Sequence, residues 1–165
     1  MLLILMRHGI AEDGTPDEAR KLTRKGRARV LLMARMLDKF DLSPDLILTS
    51  PRVRARQTAE IVARELGNPA AIDETEALDF HHGWKEFSED LIRRASAMDS
   101  SATVLACGHQ PQFGRLATAA LLGEERDFEV KKASLLGLRF GGDIVAAGAA
   151  LRFYMTPAMA RSAKF

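Results

Sequence analysis

Three short runs dominate the hydrophobic pattern: Leu2-Leu3-Ile4-Leu5-Met6, Leu46-Ile47-Leu48 and Thr103-Val104-Leu105-Ala106-Cys107. Continuous apolar runs of this length, without alternation, predict strands covered on both faces, as in a parallel sheet. Between the runs the spacing turns helical. Val30, Met33, Ala34 and Leu37 fall at i, i+3, i+4 and i+7, which predicts a helix from about Arg24 to Lys39 with Thr23 as its N-cap. Ala55, Ala59, Val62 and Leu66 form a second stripe. Ser50-Pro51 predicts its start, a capping serine before a proline at the first helical position, and Gly67 its stop. Helices are also predicted over Glu86–Met98 and from Pro111 to about Leu122, with a short strand at Ala71-Ile72 and a loop over Glu76–Trp84. Ser134–Phe140 and Ile144–Phe153 flank Gly141-Gly142-Asp143 and read as a hairpin.

Strands alternating with helices predict an α/β fold: a mainly parallel sheet with an antiparallel edge strand and helices on both faces, in three layers. The chain has 165 residues, enough for one core, and contains no repeat or linker, so residues 1–165 are read as a single domain. Apolar residues at 47% and charged residues at 28% describe a globular chain. A single cysteine excludes an internal disulfide framework and a multi-cysteine zinc site. Arg7 ends the N-terminal apolar run, which is too short for a signal-peptide core or a membrane span; the expectation is a cytoplasmic protein with no membrane partner.

Charge alters the picture through its kind. The 24 cations and 22 anions nearly cancel, but 17 of the cations are arginine. Guanidinium grips phosphate or carboxylate with two parallel hydrogen bonds, so the surplus points to a local anion site. A net charge of +2 does not describe a nucleic-acid-binding face.

In open α/β sheets, ligands sit at the carboxyl ends of the strands. The first strand ends in Arg7-His8-Gly9. The second ends in Thr49-Ser50, followed by Arg52, Arg54 and Arg56, and the third clear strand ends in Gly108-His109-Gln110. Two of the four histidines thus lie at strand ends. The set suits phosphoryl transfer: a neutral imidazole attacks phosphorus, while fixed cations and a helix N-terminus hold the phosphoryl oxygens. Nearby arginines are expected to depress the pKa of His8, and Gly9 to let the backbone approach the phosphate. His81-His82-Gly83-Trp84 reads as a loop at the substrate rim in preference to a metal site, and Cys107 as a buried strand residue. Arg20 to Arg35 holds seven cations and no acid; apart from Arg20 they are read as a solvated helix face, one that could attract an acidic protein partner.

These residues resemble the histidine phosphatase superfamily. Arg7-His8-Gly9 after the first strand looks like its signature. Ser50-Pro51-Arg52-Val53-Arg54-Ala55-Arg56-Gln57-Thr58-Ala59 looks like its second motif, and Gly108-His109-Gln110-Pro111 like the block carrying its second histidine. The short chain and Arg20-Lys21-Leu22-Thr23-Arg24-Lys25-Gly26 are most similar to its small SixA-type phosphohistidine phosphatase branch. The resemblance implies a phosphoglycerate mutase-like fold, His8 as nucleophile and phosphoryl carrier, and Arg7, Arg54 and Arg20 as phosphate ligands. It further implies His109 as donor to the phosphoryl group, and no metal or organic cofactor. Arg52 and Arg56 are assigned to solvated helix faces.

The general acid is not settled by the resemblance. Glu74, Glu76 and Asp79 lie where larger relatives place one, and Glu76 is the choice. An alkoxide leaving group needs such an acid, whereas a protonated phosphohistidine leaves as neutral imidazole. The expected function is therefore a phosphatase working through phosphohistidine on His8, with protein phosphohistidine favoured as substrate. A phosphatase or mutase acting on small phosphorylated metabolites and a catalytically silent phospho-binding module are the alternatives.

Overall fold

A computed structural model describes residues 1–67 and 72–162. The three apolar runs become β1 (Leu2–Arg7), β2 (Leu46–Thr49) and β4 (Thr103–Gly108), and they lie together inside one six-stranded sheet. The strand order is β3-β2-β4-β1-β5-β6, with β3 at Ile72–Glu74, β5 at Leu135–Phe140 and β6 at Ala149–Met155. β1, β2, β3 and β4 are mutually parallel where they pair, while β5 pairs antiparallel with both β1 and β6. The mainly parallel sheet with an antiparallel edge is therefore borne out, and that edge is two strands wide.

Alternation along β1 divides the core. Leu2, Ile4 and Met6 face a layer containing Val30, Met33, Ala34 and Leu37 of α1 (Arg24–Lys39), Ala59 and Val62 of α2 (Val53–Glu65), and Ala160 of α5 (Pro157–Ser162). Leu3 and Leu5 face Phe87 and Leu91 of α3 (Trp84–Ala95) and Phe113, Leu116 and Ala120 of α4 (Gln112–Leu122). Leu3, Ile4, Leu5 and Met6 are all fully buried, which explains why the run has no polar position. Each such side chain contributes roughly 1.5–3 kcal/mol of transfer free energy. Among the described residues no helix is long and apolar enough to cross a membrane.

Local signals set several boundaries as expected. Thr23 caps α1 by accepting from Gly26 N at 2.9 Å, and Gly67 follows α2 with a positive φ of 69°. Ile72 lies in β3, while Ala71 lies outside the described residues. Other boundaries shift. α2 begins at Val53, not at Pro51, with Arg52 extended at the N-cap position. The Ser50 hydroxyl has a different partner, described below. The predicted loop over Glu76–Trp84 contains a 3-10 turn at Glu76–Leu78, and α3 starts at Trp84 because Glu125 Oε1 accepts from Trp84 N at 2.6 Å. The hairpin connection is also longer than the glycine pair implied. Ile144 packs against the core, Ala147 N donates to Ala119 O at the end of α4 at 3.0 Å, and β6 starts only at Ala149.

Candidate active site

β1, β2 and β4 end level with one another. Arg7 pairs with Gly108 and Thr49 with Cys107; beyond them His8 N donates to Gly108 O and Ser50 N to Cys107 O, both at 3.0 Å. Parallel pairing thereby brings His8, Ser50 and His109 to one sheet edge although they are far apart in sequence. The His8 and His109 rings lie 5.1 Å apart, tilted by 55°. Both residues are buried, and Phe80 stands edge-on to His109 at 5.9 Å.

Hydrogen bonding identifies the His8 tautomer. Nδ1 lies 2.6 Å from Gly9 O, which can only accept, so Nδ1 carries the hydrogen. Arg54 Nε lies 3.3 Å from His8 Nε2 and can only donate, so Nε2 presents its lone pair. The pKa of His8 is lowered to about 3, first by burial and then, against the Gly9 bond that raises it, by the charges of Arg54, Arg7 and Lys132. Arginine contributes as expected, but desolvation is the larger cause. His8 is thus neutral at ordinary pH, with Nε2 free of a proton.

Gly9 also has a packing role. A Cβ there would sit 2.9 Å from Val30 Cγ2 and 3.0 Å from Gly26 O. Gly26 is the matching half of the contact, since its own Cβ would lie 2.1 Å from Ile10 O. The two glycines let α1 press against the segment that follows His8. Gly9 N donates to Thr58 Oγ1 at 3.2 Å, and Thr58 Oγ1 donates to Arg54 O at 2.8 Å, which ties that segment to α2.

His109 Nε2 is 2.8 Å from Ser50 Oγ, which accepts only a longer bond of 3.4 Å from Arg52 N, so the serine serves the histidine more closely than the helix start. Burial lowers the pKa of His109 to about 3, assisted by His8 and Arg54 and opposed by Asp79. Three buried side-chain polar atoms among the described residues have no partner: His109 Nδ1, Arg7 Nε and Gln112 Oε1. Two of them belong to the cluster read from the sequence, and an unpaired buried polar atom is costly unless something uses it. Arg7 is anchored from behind, its NH1 donating to Val130 O at 2.8 Å.

The arginines converge on a side chain that sequence reasoning passed over. Asp17 Oδ2 accepts from Arg54 NH2 at 2.9 Å and Arg52 NH1 at 2.7 Å, and Asp17 Oδ1 accepts from Arg20 NH1 at 2.8 Å. Arg54 NH1 also donates to Asp17 O at 2.6 Å. Arg20 therefore reaches the cluster through Asp17. Hydrogen bonds from Arg20, then from Arg54, hold the Asp17 carboxyl at about 2 despite partial burial. The assignment of Arg52 to a solvated face is corrected: its side chain is only 11% exposed, chelates Asp79 through Nε at 2.7 Å and NH2 at 3.1 Å, and lies 4.0 Å over the Phe80 ring. Being extended at the N-cap position frees Arg52 from the helix face. Arg56 is on the outside as expected, half exposed beside Glu74.

None of the three candidate acids joins the histidine pair. Glu76 is exposed and, among the described residues, its carboxylate makes no hydrogen bond or ion pair. Glu74 pairs with Arg56 at 3.4 Å. Burial pushes the Asp79 carboxyl up, but the Arg52 bonds outweigh it and hold it below the ordinary range. The segment carrying these acids is pinned from beneath, where Gln112 Nε2 donates to the carbonyls of Ala77, Asp79 and His82 at 2.8, 2.9 and 3.0 Å. The His81 ring lies tilted beside Phe80 at 4.6 Å, and Cys107 is buried in β4 with its thiol pKa pushed up by desolvation. Among the described residues no three histidine, cysteine or acidic side chains are grouped to hold a metal ion.

Some of the residues missed in the sequence had a signal there. Asp17 stands three residues before Arg20, a spacing that lets the two pair, and Gln57 and Thr58 stand three and four residues after Arg54. Gln57 Oε1 accepts from Leu22 N at 2.8 Å and so fixes the start of the α1 segment. Nothing local marked Ser50 as a partner of His109.

Comparison with known proteins is consistent with this geometry. The family model of the histidine phosphatase superfamily (branch 1) matches residues 3–87. An uncharacterised protein of Picosynechococcus sp. is 40% identical over 146 residues, 86% of each chain. The solved structure of the protein histidine phosphatase SixA complexed with tungstate superposes with a TM-score of 0.84 at 26% identity, covering 96% of this chain and 98% of that one. A phosphoserine phosphatase of Entamoeba histolytica, solved with 3-phosphoglyceric acid, shares the fold with a TM-score of 0.68 at 17% identity, covering 94% of this chain and 96% of that one.

Proposed function

The chain belongs to the histidine phosphatase superfamily (branch 1), and we propose that, as a phosphatase of that superfamily, it removes phosphate from protein phosphohistidine. The observation that carries the mechanism is the pair of contacts on His8, Nδ1–H to Gly9 O and Arg54 Nε to Nε2, which aim a neutral lone pair at a ring of arginine donors. In the first half-reaction His8 Nε2 attacks phosphorus and the bond from phosphorus to the substrate nitrogen breaks. The leaving imidazole retains the proton already on its other nitrogen and departs neutral. Arg7, Arg54 and, beyond Asp17, Arg20 stabilise the phosphoryl oxygens. His109 donates to one of those oxygens from Nδ1, with Ser50 Oγ–H donating to Nε2 to fix that tautomer. In the second half-reaction water attacks phosphorus, the bond to Nε2 breaks, and inorganic phosphate leaves with the protons of the water.

The substrate preference rests on the acids. Asp79 is chelated, Glu74 faces Arg56, Glu76 is exposed, and Asp17 is a firm carboxylate; none is poised to protonate an alkoxide. Phosphohistidine needs no such proton. A phosphate-release assay comparing phosphohistidine protein with a panel of small phosphate esters tests the reading: faster turnover of the esters overturns it. If Glu76 is the acid for esters, Glu76→Gln lowers their turnover at least about ten-fold and leaves phosphohistidine turnover nearly unchanged. The covalent step has its own check. Mixing with labelled phosphodonor and quenching in base traps an acid-labile adduct that His8→Ala abolishes.

A further inference from the structure

A cavity opens beside Arg7, and none of Asp17, Arg20, Arg52 or Arg54 lines it. Its volume is about 620 Å³, and it is lined by Arg7, Ile10, Arg29, Glu129, Lys131, Lys132, Thr156, Pro157, Ala158 and Arg161. Its charge is one-sided. Glu129 is the only acid among these residues, and Lys131 neutralises it at 2.6 Å. Arg29, Lys132 and Arg161 make no ion pair among the described residues. Unpaired cations from α1, the segment before β5, and α5 therefore share one groove with Arg7 of the candidate site.

Lys132 joins the groove to the chemistry. Ala133, the next residue, has a positive φ of 59°, and its N donates to Arg7 O at 2.9 Å and His8 O at 3.3 Å, which holds the lysine backbone against β1. The Lys132 charge is felt at His8, and its own pKa is lowered by burial and by Arg7 and Arg20, against Asp13, which raises it. Four cations with one neutralised acid are more than a single phosphoryl group on His8 needs. Their origin in separate segments, with Ile10, Pro157 and Ala158 between them, fits an extended ligand better than one compact anion.

We propose that this groove docks an acidic polypeptide segment flanking the phosphorylated residue of the substrate protein. The inference rests on the phosphoprotein reading above and adds the recognition surface. Charges at such a rim act mainly by raising encounter rate and excluding wrong partners, and their effect is screened by salt. The groove also accounts for part of the acid-free stretch between Arg20 and Arg35, since Arg29 is one of its cations.

The experiment measures binding separately from chemistry. A fluorescein-labelled Glu-Ala repeat peptide is titrated with the wild-type protein, with Arg29→Glu/Arg161→Glu, and with Arg64→Glu/Arg126→Glu as a control of equal net charge elsewhere on the surface. The expected result is that the groove variant weakens binding at least about ten-fold, that the control changes it less than about three-fold, and that salt weakens wild-type binding. Matching melting curves exclude unfolding as the cause; if the groove variant melts early, Arg29→Gln/Arg161→Gln replaces it with the same expectation in direction. No wild-type binding, unchanged binding in the groove variant, or equal loss in the control overturns the proposal. Phosphate release from phosphohistidine protein is scored independently. Peptide binding without that turnover overturns the substrate reading and leaves the groove standing; turnover without peptide binding overturns the groove alone.

Discussion

Hydrogen placement on two imidazoles decides the chemistry at the residue scale. His8 is held neutral, with its hydrogen on Nδ1, by a carbonyl that can only accept. The proposed mechanism has His109 carry its hydrogen on Nδ1, with Ser50 Oγ–H donating to Nε2. Ser50→Ala removes that partner, so His109 Nδ1–H is no longer enforced. A lost hydrogen bond of about 0.5–1.5 kcal/mol predicts a fall in kcat of about two- to twelve-fold with little change in KM. The check is steady-state kinetics alongside ¹⁵N NMR of the ring nitrogens. Wild-type spectra are expected to show both rings still neutral at about pH 5, because both pKa values are lowered to about 3. Titration of either ring near pH 6.5 would contradict the burial argument. Asp17 yields a prediction of opposite sign. Its carboxylate occupies donors of Arg54, Arg52 and Arg20 that an incoming oxyanion also needs. Asp17→Asn replaces charged acceptors by a neutral amide and is expected to tighten competitive inhibition by inorganic phosphate, the product of the proposed reaction, about five-fold. Weaker inhibition would show instead that Asp17 holds the arginines in place for the anion.

At the scale of elements, the site depends on how closely α1 approaches the turn after β1. Gly26→Ala adds helix propensity, worth up to about 1 kcal/mol. It also sets a Cβ 2.1 Å from Ile10 O, where backbone must move. Overpacking wins, so the substitution is expected to destabilise the protein by about 1–3 kcal/mol in urea unfolding. Much of the element pattern was legible in the sequence. Thr23 and Gly67 act through local hydrogen bonds and backbone preference, so their neighbours suffice to read them. Ser50-Pro51 misled for a physical reason: the same hydroxyl can cap a helix or pair with a histidine 59 residues away, and only the assembled sheet edge selects the second. The β5–β6 connection was likewise set by a distant group, the Ala119 carbonyl, not by its own glycines.

For the whole molecule, burying two neutral histidines couples the site to stability. Folded His8 and His109 have pKa values near 3, against about 6.5 when unfolded. Above about pH 6.5 neither state is protonated at these residues, and their effect is absent. As pH falls from about 6.5 towards 3, the unfolded chain binds protons that the folded one refuses, so stability falls, by up to about 1.4 kcal/mol per pH unit for each histidine. His109→Gln is expected to flatten this acid limb, which thermal melts across the window will show; an unchanged slope would mean that other groups set it.

What the sequence determined by itself was the placement of chemistry on secondary structure. Continuous apolar runs identify central strands, parallel strands end at one edge, and position alone makes Arg7, His8 and His109 candidates there, whereas Arg54 is chosen among its neighbours by the family resemblance. These are short-range properties of the chain. The tertiary structure decided which further side chains share that edge: Asp17 across Arg20, Arg52 and Arg54; Ser50 beside His109; Lys132 in one groove with Arg7; and the exposure of Glu76. Those relations join segments that meet only when loops pack against the sheet edge, and local propensity carries no information about them. The three neighbouring arginines show the difference. Spacing alone puts Arg54 and Arg56 on different helix faces without saying which one faces the site, and Arg52 reaches the site because its backbone is extended, outside the helix.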